Sequence, residues 1–121
     1  MSPVDLTEVF ASITTHWDPP IAAELNGQQV KCVKLQGEFI GHKHETEDEL
    51  FMVRRGSLEM RLRTGVVTIG AGQFFVVPRG VEHQPCAAQE VEVVLFEPAS
   101  TLNAGNVRNE FTKEKLKRAS V

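Results

Sequence analysis

Between Val30 and Phe96 the apolar residues fall in short segments parted by glycine, and where they alternate they do so with a period of two. Leu58, Met60 and Leu62 alternate with Glu59, Arg61 and Arg63, which predicts a half-exposed strand. Val30, Cys32, Val33 and Leu35 predict another, Leu50 to Arg55 a third, and Phe74 to Val77 and Val91 to Phe96 two fully apolar ones. Thr64-Gly65 reads as a two-residue hairpin turn with Val66 to Ile69 as the return strand. Gly37, Gly41, Gly56, Gly65, Gly70, Gly72 and Gly80 punctuate the region. No helical pattern long enough for a β-α-β crossover lies between these segments. The pattern therefore points to an all-β sandwich or barrel rather than a doubly wound α/β fold.

At 121 residues the chain is the size of one domain, 1–121. Helical signals occur only at its ends. Ser2 can cap, Pro3 suits a first helical position, and Leu6, Val9, Phe10 and Ile13 share one face, so a short helix is expected over about 3–13. It should stop before Asp18-Pro19-Pro20. The extension 98–121 is polar; Thr112 can cap a last short helix containing Glu114, Lys115 and Leu116. Lys113, Lys115, Lys117 and Arg118 read as a solvated face.

The formal net charge is −3, a poor balance for general nucleic-acid binding, which depends on neutralising phosphates. The apolar runs are shorter than the roughly 18 residues of a membrane span. Residues 1–15 lack a basic segment followed by a continuous apolar one, so an export signal is not expected. Cys32 and Cys86 make no disulfide framework and read as small buried thiols in a reducing, cytoplasmic setting.

The four histidines are unevenly spread. His42 and His44 flank Lys43, and Glu49 follows. In a strand, positions i and i+2 face the same way. With Glu45 to Asp48 as a four-residue loop, residue 44 lies opposite 49 and residue 42 opposite 51, which puts Glu49 on the face of the two imidazoles. An ionised carboxylate beside imidazoles in an apolar interior is costly unless a cation compensates. A divalent metal does this with neutral imidazoles and a carboxylate as ligands. His83 opens the strand after the Pro78-Arg79-Gly80 turn and can close a three-His, one-Glu set. Glu45, Glu47 and Asp48 read as a solvated acidic loop, and His16 as a surface or packing residue.

The spacing resembles that of the cupin superfamily. A first motif runs Gly37, four residues, His42-Lys43-His44, four residues, Glu49, six residues, Gly56. A second runs Gly72, five residues, Pro78-Arg79-Gly80, two residues, His83. Fifteen residues separate the two motifs, and the resemblance covers about 30–97. Gly37 stands one residue closer to the histidine pair than is usual, and Ala87 replaces an asparagine that often ends the second motif. The resemblance implies a double-stranded β-helix, or jelly-roll, barrel with short terminal helices and a metal held by His42, His44, Glu49 and His83. The metal is a divalent transition ion (Zn, Fe, Mn, Ni or Cu), and binding should weaken below about pH 6 as imidazoles take up protons.

The resemblance also implies a small-molecule ligand or substrate. The activities it offers are metal-dependent oxygenases, sugar isomerases or epimerases, and decarboxylases. The alternatives are a ligand-binding or sensor protein and a barrel whose metal is structural. Candidate pocket residues are Phe51, Val53, Phe75, Met60 and Phe96, with Arg54, Arg61 and Gln36 as candidates to orient an anion. A homodimer is expected, because Leu50 and Met52 form an apolar face opposite in parity to Glu49 unless the N-terminal helix covers it.

Overall fold

Alternation along each strand decides which side chains fill the interior, and one long strand joins the others around it. The computed structural model describes residues 1–102, 105, 118 and 119. Its elements are α1 (Leu6–Ser12), β1 (Ile21–Leu25), β2 (Gln28–Glu38), β3 (Glu49–Arg55), β4 (Ser57–Leu62), β5 (Gly65–Gly70), β6 (Phe74–Val77) and β7 (His83–Pro98). All pairings between strands are antiparallel, in the order β1-β2-β7-β3-β6, with β4 also on β7 and β5 on β4. The fold is an all-β jelly-roll barrel.

β7 closes the barrel. His83 to Cys86 pair with β4, Cys86 to Pro98 with β2, and Glu92 to Phe96 with β3. The strands expected at His83 and at Val91–Phe96 are one continuous strand of 16 residues. Lys31, Val33 and Leu35 of β2, Glu49, Phe51 and Val53 of β3, and Val91, Val93, Leu95 and Glu97 of β7 face inward, as do Leu58 and Met60 of β4. Val33, Leu35, Phe51, Val53, Leu58, Met60, Val91, Val93 and Leu95 make the interior cluster with Ile69 and Val77. A second cluster lies outside the sheet, where Val9, Phe10 and Ile13 pack on Cys32 and Val94, with Met52 against it.

The N-terminal helix is shorter than expected. Asp5, in extended conformation, is its cap, and the Asp5 carboxylate accepts from the Thr7 and Glu8 amides at 2.9 and 3.3 Å. Those bonds satisfy the first free amides of a helix starting at Leu6, so Ser2 and Pro3 lie outside it. β1 was not foreseen; its hairpin with β2 turns on Asn26 and Gly27, whose φ values of 50° and 78° suit a tight two-residue turn. The β4–β5 turn is Arg63-Thr64 rather than Thr64-Gly65, because Leu62 pairs with Gly65. The helix expected after Thr112 lies outside the described residues. At Arg118 and Ala119 the chain returns to β1: the Ala119 amide donates to the Ile21 carbonyl at 2.8 Å, and Arg118 pairs with Glu24.

Both cysteines are free and buried, and burial pushes the Cys32 thiol up to about 11. Leu50 and Met52 are half-buried, while their β6 neighbours Val76 and Phe74 are exposed. No described helix is long and apolar enough to cross a membrane.

Candidate metal centre

The segment around His42 does not form the hairpin with β3 that the sequence suggested. Glu49 pairs with Val77 and Phe51 with Phe75, because β6 occupies that edge of β3. The histidine segment instead runs beside the start of β7. The His42 amide donates to the His83 carbonyl at 3.0 Å, and the His83 amide to the His42 carbonyl at 2.8 Å. The loops carrying the ligands are fastened together as well. The Gly80 amide donates to the His44 carbonyl at 2.7 Å, and Arg79 donates its backbone amide (2.8 Å) and its guanidinium (3.2 Å) to Asp48. This clamp holds the Asp48 carboxyl below its ordinary range. Glu47 accepts from the Ser100 hydroxyl and Glu45 pairs with Lys43, so the acidic loop is a partnered surface around Glu49.

The pairing differs from the expectation, yet the same four residues converge. One ligand atom from each of His42, His44, Glu49 and His83 lies within 4.8 Å of the others, and all four residues are buried. The Nδ1 atoms of His42 and His83 each lie 2.9 Å from the backbone carbonyl two residues earlier, Ile40 and Val81. A neutral ring must donate from Nδ1 to make that bond, which leaves Nε2 as a lone pair turned to the centre. Nε2 of His83 and of His44 stand 3.3 and 3.4 Å from Glu49 Oε1. His44 Nε2, though buried, makes no hydrogen bond. An orphaned buried nitrogen beside a carboxylate and two oriented imidazoles fits a cation at their centre.

The electrostatics agree. Burial, with His83 beside it, pushes His42 down to about 4, so the ring is neutral near pH 7. Burial opposes ionisation of Glu49, but its interactions with Glu97, His44 and His83 outweigh it and hold the carboxyl well below its usual range. Neutral imidazoles and an ionised carboxylate are the forms that bind metal.

A cavity of about 40 Å³ adjoins the centre. His42, Glu49 and Phe51 line it on the metal side; Lys31, Glu97, Trp17 and Phe39 are among its other walls. Trp17 stacks on Phe39 with ring centroids 4.8 Å apart, and its backbone holds a left-handed φ of 61°. Of the apolar candidates, Phe51 is a wall, whereas Val53 and Met60 are interior core with Phe75 packed against them. Phe96 is half-buried at an outward position of β7.

None of the three residues expected to orient an anion reaches this cavity. Arg54 sits at an outward position of β3, bound to Glu92 and to the Thr7 hydroxyl and lying over the Phe10 ring. Arg61 faces out from β4 toward Glu38 and Glu59, and Gln36 is exposed on β2. His16 pairs with Glu90 at 2.8 Å on the surface. Lys31 and Glu97 are cavity walls that are not among the expected pocket residues. Parity would have found them: 31 is in step with 33 and 35, and 97 with 93 and 95, so each places a charge on the buried face.

Residues 30–97 match the model of the cupin domain family. The chain is a cupin. Among solved structures it resembles a cupin-2 domain containing protein from Shewanella frigidimarina, at 39% identity and a TM-score of 0.78, over 78% of this chain and 93% of that one. A Neisseria meningitidis protein aligns at 29% identity and a TM-score of 0.74, over 81% and 100%. KdgF from Halomonas sp. aligns at 26% and 0.58, over 66% and 78%. No curated protein matches the chain. In this cupin both motifs deliver their four ligand-type residues to one place.

Proposed function

We propose that this cupin holds a divalent transition metal on His42, His44, His83 and Glu49 and uses it to bind and transform a small molecule in the adjoining cavity. The observation that carries the reading is the convergence of four buried ligand atoms within 4.8 Å, with His44 Nε2 otherwise unpartnered. When bound, a divalent ion supplies Lewis acidity toward a ligand oxygen. The chain's own part is to fix the Nε2 atoms of His42 and His83 through their Nδ1 bonds, to keep Glu49 ionised, and to exclude water with Phe51, Phe39 and Trp17. Isomerase, oxygenase and decarboxylase chemistry all fit that division of labour.

A second reading is a non-catalytic ligand-binding cupin. It is favoured by the state of the other titratable groups in the cavity: Lys31 and Glu97 are engaged with each other at 2.7 Å, which leaves neither free to act as a base. Turnover against saturable binding without turnover separates the two.

The test of the metal centre is elemental analysis of protein purified without an affinity tag, repeated on His83→Ala. One ion per wild-type chain and its loss in the variant support the reading. Equal metal in both overturns it.

Self-association belongs to the same proposal. Phe74 and Val76 are 65% and 44% exposed on the outer strand β6, and a second copy would cover them. Light scattering that gives a strict monomer rules this part out.

A further inference from the structure

We propose that Lys31 reads the charge of the ligand, and that the ligand is a small monocarboxylate held between the Lys31 ammonium and the metal centre. The inference rests on the metal centre proposed above and names the class of molecule it takes.

Lys31 lies on the inward face of β2 and is 1% exposed. An ammonium carries three donors. Among the described residues Glu97 is the one acceptor it meets, at 2.7 Å. A lysine this deep with donors to spare is costly unless something in the cavity accepts from it. Glu97 is buried to the same degree, and its Oε2 has no hydrogen-bond partner. Both side chains line the cavity that His42 and Glu49 also line, so the pair and the metal ligands face one space.

Charge selects the ligand. With neutral imidazoles, a divalent ion, the Glu49 carboxylate and the Lys31 ammonium leave a net positive charge even when Glu97 is ionised, and burial beside Glu49 raises the Glu97 carboxyl well above its ordinary range. A neutral ligand leaves that charge buried and uncompensated, and an anion offsets it. A carboxylate has two acceptor oxygens, one for the ammonium and one for the centre. A phosphate ester brings more charge and more acceptors than one lysine serves. The cavity of about 40 Å³ holds only a few heavy atoms, and its remaining walls, such as Val33, Leu35 and Phe51, suit a short apolar body.

The single tryptophan of the chain, Trp17, lines the cavity and gives the readout. Metal-loaded protein is titrated with lactate and with its neutral isostere lactamide while Trp17 emission is followed, and metal content is measured on every sample. Lactate should bind at least about tenfold more tightly than lactamide. The preference should vanish in Lys31→Met and in Lys31→Met/Glu97→Gln, the double variant removing the buried lone carboxyl that could unfold the single one. Equal affinity for the two ligands, no lactate binding up to roughly 20 mM, or a preference that survives in metal-loaded variants overturns the proposal. Wild-type protein that takes up no metal overturns the metal centre and this proposal together, and the metal analysis registers that outcome before any titration.

Discussion

His42 and His83 exchange both of their backbone hydrogen bonds, at 3.0 and 2.8 Å, and their rings lie 4.3 Å apart by centroid. One ladder rung thus sets the distance between two ligands from the two motifs. Replacing His83 with alanine leaves that rung in place while removing one ligand nitrogen and the Glu49 contact at 3.3 Å. Metal affinity should fall at least 100-fold, in line with the loss of a direct ligand, while far-ultraviolet circular dichroism stays that of the wild type. Competition with a chromophoric chelator measures the first.

Acid should weaken the metal-free protein through His42. Its ring ionises near 6.5 in the unfolded chain and only near 4 in the folded one. Between those values the unfolded chain binds the extra proton, so stability rises with pH across the window. The contribution is whole above pH 6.5 and is lost as pH falls toward 4, by about 3 kcal/mol for this ring alone. Urea melts of metal-free protein at pH 7 and pH 4.5 check the sign; equal midpoints contradict it. Metal retention should fall over the same range.

The Lys31–Glu97 pair should matter more to stability when half of it is missing than when both halves are gone. Removing Lys31 alone takes its hydrogen-bond donor from the Glu97 carboxyl, which burial beside Glu49 already raises well above its ordinary range, and leaves a buried polar group unsatisfied at a cost of about 1–3 kcal/mol. Lys31→Met/Glu97→Gln should recover a large part of that loss. Chemical denaturation of wild type, single and double variants gives the coupling directly.

Gly56 holds φ at 93°, and a Cβ there would stand 3.1 Å from the Glu90 carbonyl oxygen and 3.2 Å from Val91 Cα. Both neighbours are backbone and cannot swing away. Gly56→Ala should therefore cost about 1–3 kcal/mol, read as a lowered denaturation midpoint with metal content per folded chain unchanged.

Much of this molecule is visible in its residue order. Alternation at Leu58, Met60 and Leu62 places β4, and the glycine and histidine spacing names the four candidate ligands. What escaped was decided by pairing across long distances. The chain says that His42 and His44 share a face, but nothing local says that their neighbour is the start of β7 rather than β3. β1 was hidden for a different reason: its sequence, IAAEL, does not alternate, and only the Asn26-Gly27 turn marks it. Charge and polarity make Arg54, Arg61 and Gln36 candidates to orient an anion, whereas parity keeps them out of the cavity and turns Lys31 into it.

The Asp48–Arg79 clamp and the Gly80–His44 bond act where the ion would not, on the main chain behind the ligands. Chelation should accordingly strip such a protein without unfolding it: the melting temperature drops, the circular dichroism spectrum persists, and reloading follows simple second-order kinetics with no lag. A barrel of this kind keeps its socket shaped between occupants, so that different ions compete for it by affinity and supply alone.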